Sequence, residues 1–194
     1  MFKRRRPLTP RQNLRELLWP SMGWLRVVKY MVRRIMRLSD SPARIARGMA
    51  LGASLSFSPI VGTHIMQALA AAYVVRGNYL GAVIGTIMGN PWTFPFMWFA
   101  SYKLGVLIFA LFGMEVALSF PDGITFWVAV DMAVHQPFEL FLPWMVGGYV
   151  LAALTWPVFF VVFLIVVKRL KYFRQLRRLK RVHKIAREIT GQDS

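Results

Sequence analysis

Apolar residues gather in two long runs that carry no Asp, Glu, Lys or Arg. Residues 48–75 form one, 28 in a row, and residues 77–102 form the next, 26 in a row. A straight helix of the first length would be about 42 Å long, against a hydrocarbon core of about 30 Å. Both runs are interrupted near the middle. Ser58-Pro59, followed by Gly62, divides the first, and Gly89-Asn90-Pro91-Trp92-Thr93-Phe94-Pro95 divides the second. Two further apolar stretches follow at 104–121 and 140–167. The flanks alternate differently. Trp24, Val28, Met31 and Ile35 recur at helical spacing among Arg26, Lys29, Arg33, Arg34 and Arg37. Leu170, Phe173, Leu176, Leu179, Val182 and Ile189 form a similar stripe among Lys171, Arg174, Arg177, Arg178, Lys180, Arg181, Lys184 and Arg187. Such faces predict basic amphipathic helices in a headgroup region.

The breaks have a definite chemistry. Ser and Asn are favoured helix N-caps, and Pro suits the first helical position. Ser41-Pro42, Ser58-Pro59 and Asn90-Pro91 therefore read as helix starts. Each new start leaves N–H groups that protein, water or ligand must satisfy in hydrocarbon. It also carries a partial positive charge. Paired broken segments of this kind point to a transporter-type site.

Charge distribution then fixes the class. The chain has a net charge of +17 yet is 56% hydrophobic. The charge is segregated: +11 over 1–47, −2 over 48–167 and +8 over 168–194. With no Cys, a disulfide scaffold is excluded, and the apolar middle excludes a disordered chain. The first apolar run begins only at Gly48, so no cleaved signal is expected. Lys and Arg concentrate in cytoplasmic segments, so both ends should be cytoplasmic and the number of full crossings even. The expected fold is an all-α integral membrane protein. Two broken, re-entrant helical hairpins (48–75 and 77–102) are joined by two full spans (104–121 and 140–167). An external interfacial segment at 122–139 separates the spans. A basic arm at 1–47 and a basic helix at 168–194 lie in the cytoplasm. The rival is four full, kinked spans with Arg76 outside.

Few residues offer chemistry. Ser58, Thr63 and His64 lie at the first break, Asn90 and Thr93 at the second, and Lys103 follows the second run. These are the candidate substrate contacts, with Lys103 as a fixed positive charge. Pro59, Gly62, Gly89, Pro91 and Pro95 shape the breaks. A plainer reading makes His64 a helix-to-helix hydrogen bond and makes Asn90 and Thr93 caps. Gly81, Gly85 and Gly89, spaced by four, read as a helix-packing face. Asp131, His135 and Glu139 share that spacing, but Pro137 interrupts any helix joining them, so no metal site is expected. No nucleophile elbow, phosphate-binding loop or zinc motif is present, so no catalytic residues, no enzyme activity and no cofactor are expected.

Several short strings carry a resemblance. They are Ser39-Asp40-Ser41-Pro42 with Ile45-Ala46-Arg47-Gly48, Phe57-Ser58-Pro59 with Gly62 and His64, Arg76-Gly77-Asn78, and Gly89-Asn90-Pro91 with Thr93 and Pro95. In these the chain resembles a family of uncharacterised bacterial inner-membrane proteins, domain of unknown function 2062, over roughly residues 24–167. The resemblance implies a bacterial membrane location and no established activity. The layout is also distantly similar to small membrane proteins that move phosphate-bearing lipids with facing re-entrant hairpins. Two functions stay open. One is a small carrier or lipid translocase for an anionic, phosphate-bearing substrate held at paired half-helix N-termini. The other is a non-transporting scaffold, lipid-binding module or accessory subunit. Expected partners are anionic membrane lipids at the basic arms and a second copy of the chain, with no nucleic acid.

Overall fold

The computed structural model describes residues 24–60, 62–114 and 137–190, and among them every regular element is helical. The chain divides into two units, Met1–Leu38 and Ser39–Ser194. The first contains α1 (Trp24–Arg37). Its Arg26, Lys29, Arg33, Arg34 and Arg37 are exposed while Ile35 is buried, as the amphipathic spacing requires. The side chains of Trp24, Val28, Glu139 and Ile189 lie outside what the structure describes.

The second unit contains α2 (Pro42–Leu55), α3 (His64–Val74), α4 (Tyr79–Gly85) with a 3-10 turn Thr86–Met88, α5 (Phe94–Leu111) and α6 (Pro137–Thr190). Side-chain caps set several starts. Ser41 Oγ accepts from the Arg44 amide at 3.3 Å, with Pro42 next to it, so Ser41-Pro42 opens α2 as expected. Asn78 does the same for α4, its Oδ1 accepting from the Gly81 amide at 2.6 Å. Between them α3 ends in a Schellman turn. Gly77 N–H donates to Ala72 O at 2.7 Å and Arg76 N–H to Tyr73 O at 3.2 Å. That turn places Arg76 at φ +54°, a conformation in which a side chain costs about 1–2 kcal/mol.

Helices α2 and α4 meet backbone to backbone. A methyl group on Gly48 would collide with Asn78 O, one on Gly52 with Ala82 O, and one on Gly85 with Met49 O. The spacing of four on both helices is the small-residue seam, in which close van der Waals contact replaces hydrophobic burial. The pairings advance together, Gly81 facing Ile45, Gly85 facing Met49 and Gly89 facing Ser56, so the two helices run parallel. Gly105 against Pro143 and Gly147 against Ser101 make a second seam, this time antiparallel, between α5 and α6.

These contacts fix the path of the chain. The Asn78 amide donates to Arg44 O at 2.9 Å, and Arg47 Nη1 donates to Val75 O at 3.0 Å. Residues 42–75 therefore form a hairpin that returns to the level at which it began. Its helices hold 14 and 11 residues, about 21 and 16 Å, each shorter than a bilayer core. The second run departs from the expected return. Ser101 Oγ donates to Phe57 O at 3.0 Å, so α5 begins at the broken end of α2 and leads away from Arg76. Lys103 accordingly stands at the opposite end from Arg76. Residues 79–111 make one broken, onward path in place of a second hairpin. The reason is local: the Gly89–Pro91 step redirects the chain without reversing it, and Gly105 and Gly147 dock α5 on α6.

Element boundaries move as well. The helix expected at 104–121 starts at Phe94, immediately after the break. The span at 140–167 and the basic helix that follows it are one uninterrupted α6 of 54 residues, with Pro143 and Pro157 inside. Residues 115–136, including most of the expected external segment with Asp131 and His135, lie outside the described residues. Two helices are long and apolar enough to cross a membrane, Phe94–Leu111 and the Phe141–His183 part of α6. Only 17% and 11% of their apolar windows are buried, so their greasy surface faces outward.

Candidate functional site

The two breaks come together. Gly89 lies so near Ser56 that an added methyl would sit 2.6 Å from its Oγ, and the His64 ring meets Phe94 edge-on at 5.2 Å. They do not take the same form. Asn90 caps the turn that leads into α5: its Oδ1 accepts from the Trp92 and Thr93 amides at 2.9 and 3.1 Å, and the helix itself begins at Phe94. Thr93 reciprocates, its Oγ1 accepting from the Asn90 amide at 3.0 Å and donating to Met88 O at 2.6 Å. This is the geometry of a capping box. Ser58-Pro59, by contrast, starts no helix. Residues 56–58 tighten the end of α2 through i to i−3 bonds, and α3 begins only at His64, after Gly62 at φ +84°.

Ser58 is fully buried and has a different task. Its Oγ accepts from Gln67 Nε2 at 3.3 Å and from the Ile60 amide at 3.4 Å. Gln67 Nε2 also donates to Thr63 Oγ1 at 2.6 Å, and Thr63 Oγ1 donates to Ile60 O at 2.8 Å. From α6, Tyr149 OH donates to Gln67 Oε1 at 3.1 Å. The break is thus a small polar network in which Gln67 is the hub, and Gln67 was not among the expected residues. One signal was available: it is the lone amide side chain of the run 48–75, three and four residues past His64 and Thr63. Tyr149 gave no comparable signal.

His64 is 7% exposed. Its Nδ1 lies 3.1 Å from Ile60 O, so the ring donates from that nitrogen. Nε2 is buried and has no hydrogen-bond partner among the described residues. An aromatic line continues from it: Phe94 stacks on Trp98 at 4.7 Å, and Trp98 meets Trp144 edge-on at 5.5 Å. The Nε1 atoms of Trp98 and Trp144 are also buried without a partner among the described residues. Lys103 lies apart from this junction, its Nζ 5.6 Å from the Phe99 ring centre. Five of the six expected contacts therefore cluster, and Lys103 does not join them.

A groove of about 630 Å³ opens at the other end of the same helices. Arg44, Arg47, Tyr73, Val74, Arg76, Gly77 and Tyr79 line it. Arg44 pairs with Asp40 at 3.0 Å, and Asp40 also accepts from Asn78 Nδ2. The Asp40 carbonyl accepts from Lys171 Nζ of α6. The folded chain thus brings together bases that lie 32 residues apart in sequence, Arg44 and Arg76, a juxtaposition no linear motif announces.

The family described as an uncharacterized protein conserved in bacteria (DUF2062) matches residues 25–176. No curated protein and no solved structure matches the chain.

Proposed function

The chain belongs to this uncharacterised bacterial family, and from that membership we propose that it is a multi-pass protein of the inner membrane serving as a lipid-binding module. One observation carries the reading: α5 and the apolar half of α6 expose their surface, whereas the core helix of a water-soluble protein would bury it. In the proposed topology α2–α3 is a re-entrant hairpin, α4–α5 a broken span and the first part of α6 a second span. Two crossings leave both basic ends on one side, which the excess of Lys and Arg assigns to the cytoplasm. The α2–α4 seam favours a rigid module, since glycine contact against backbone carbonyls leaves no room for sliding.

A second reading, a carrier or translocase for an anionic, phosphate-bearing substrate, draws on one observation. Three buried nitrogens, on His64, Trp98 and Trp144, have no partner among the described residues and belong to one line of aromatic contacts at the junction of the breaks. Against it, the Asn90 break satisfies its own amides with its own side chains, so that helix start offers less to an anion. Reconstitution separates the two. Proteoliposomes carrying a fluorescent anionic phospholipid should show no transbilayer movement above protein-free vesicles. Movement that is lost in His64→Ala would replace the module with the translocase.

A further inference from the structure

We infer that the groove between α2 and the α3–α4 turn is a binding site for a phosphomonoester, the dianionic end of a lipid headgroup or of a free phosphate. The inference deepens the lipid-binding reading and rests on it for the lipid source alone. Three guanidiniums line one groove, and one of them, Arg44, is already paired with Asp40. Two positive charges, on Arg47 and Arg76, have no carboxylate partner among the described residues. A phosphomonoester carries close to two negative charges at neutral pH, whereas a phosphodiester carries one. With Lys171 also beside Asp40, the groove keeps at least two positive charges in excess, which favours the monoester's dianion over a single charge.

Geometry supports the same ligand. Arg47 spends Nη1 on Val75 O at 3.0 Å, which fixes the side chain against the end of α3. Its Nε is buried with no partner among the described residues, so neither nitrogen is spent on a carboxylate and the guanidinium charge is held at the groove wall. Arg76 sits where a helix usually ends in Gly, at φ +54°, with Gly77 next to it. The left-handed turn holds the Arg76 backbone in one strained conformation at the groove wall. Tyr73 and Val74 stand at the rim, 73% and 77% exposed, which suits the boundary between headgroups and acyl chains.

The test uses the full chain purified in detergent, with short-chain phosphatidic acid, short-chain phosphatidylglycerol and inorganic phosphate as the three probes. Phosphatidic acid should bind about tenfold or more tighter than phosphatidylglycerol, and Arg47→Gln and Arg76→Gln should each weaken it about tenfold. Arg178→Gln removes the same charge on the basic part of α6 and should weaken it far less. If Arg47→Gln does not fold, Arg76→Asn keeps a residue that tolerates the left-handed turn and should show the same loss. Inorganic phosphate binding as well as phosphatidic acid, with the same losses, identifies a free phosphate as the source. Equal binding of the two lipids overturns the proposal, as do losses no larger than those of Arg178→Gln. Alkaline carbonate extraction, run alongside, reports on the membrane reading by itself: release of the chain would defeat that reading whatever the groove binds.

Discussion

The two ends of the α2, α3 and α4 group differ in how their polar atoms are spent. At the broken end Ser58, Thr63, Gln67, Asn90 and Thr93 bond to one another, to nearby backbone and to Tyr149. Phe94 meets the His64 ring there, and Trp98 and Trp144 continue the aromatic line from it. At the other end three arginines line an open groove, and one of them, Arg76, is held in a strained turn. A break in an apolar helix creates orphan amides, and short polar residues placed at the break consume them. Side chains that the fold leaves unspent are the better guide to a ligand. In this chain the charged ones lie at the end with no break, while the broken end leaves buried ring nitrogens on His64, Trp98 and Trp144 without a partner among the described residues.

Breaking the seam that joins the two ends should have the largest effect. A side chain at Gly52 runs into the Ala82 carbonyl and lies 2.7 Å from the Thr86 amide. Gly52→Leu should cost about 3 kcal/mol or more and remove the folded peak in size-exclusion chromatography. Asn78→Ala comes next, because it removes both the α4 cap and the bond to Asp40 at the groove. A loss of about 2 kcal/mol is expected in thermal unfolding in detergent. Asn90→Ala removes only a cap at the packed end and should cost about 1 kcal/mol. It should leave phosphatidic acid binding unchanged; a loss there would move the site to the breaks. Smallest is Arg76→Gly, which relieves the left-handed strain. It should raise stability by up to about 1 kcal/mol while weakening the groove's hold on its ligand.

Much of the fold was legible in the residues. The Ser41-Pro42 start, and the Asn90 turn that precedes the helix at Phe94, follow from local hydrogen-bonding chemistry, which acts within three residues and needs no tertiary information. The glycines at 81 and 85 announced a packing face by their spacing of four, without naming α2 as its partner, and the return of 42–75 to its starting level was expected. Ser58-Pro59 misled because the serine's hydroxyl is taken by Gln67 and Ile60, leaving Thr63 to precede the helix. The onward course of α5 was hidden too. A Pro and Gly step says that the chain turns, and docking on α6 decides by how much. The arginine groove depends on a contact between residues 47 and 75, beyond the reach of any spacing rule. Of the expected site, the junction of the breaks was legible from its residues, and Gln67, Tyr149 and the groove were not.

Sidedness tests the central claim most directly, and the chain has no cysteine of its own to interfere. Single cysteines at Ser41, Arg76 and Met114, all exposed, would be probed with a membrane-impermeant thiol reagent in cells and in inverted membrane vesicles. The account predicts that 41 and 76 react only from the cytoplasmic face and that 114 reacts only from the outer face. A cysteine at 76 reached from the same face as 114, and not from that of 41, would contradict it.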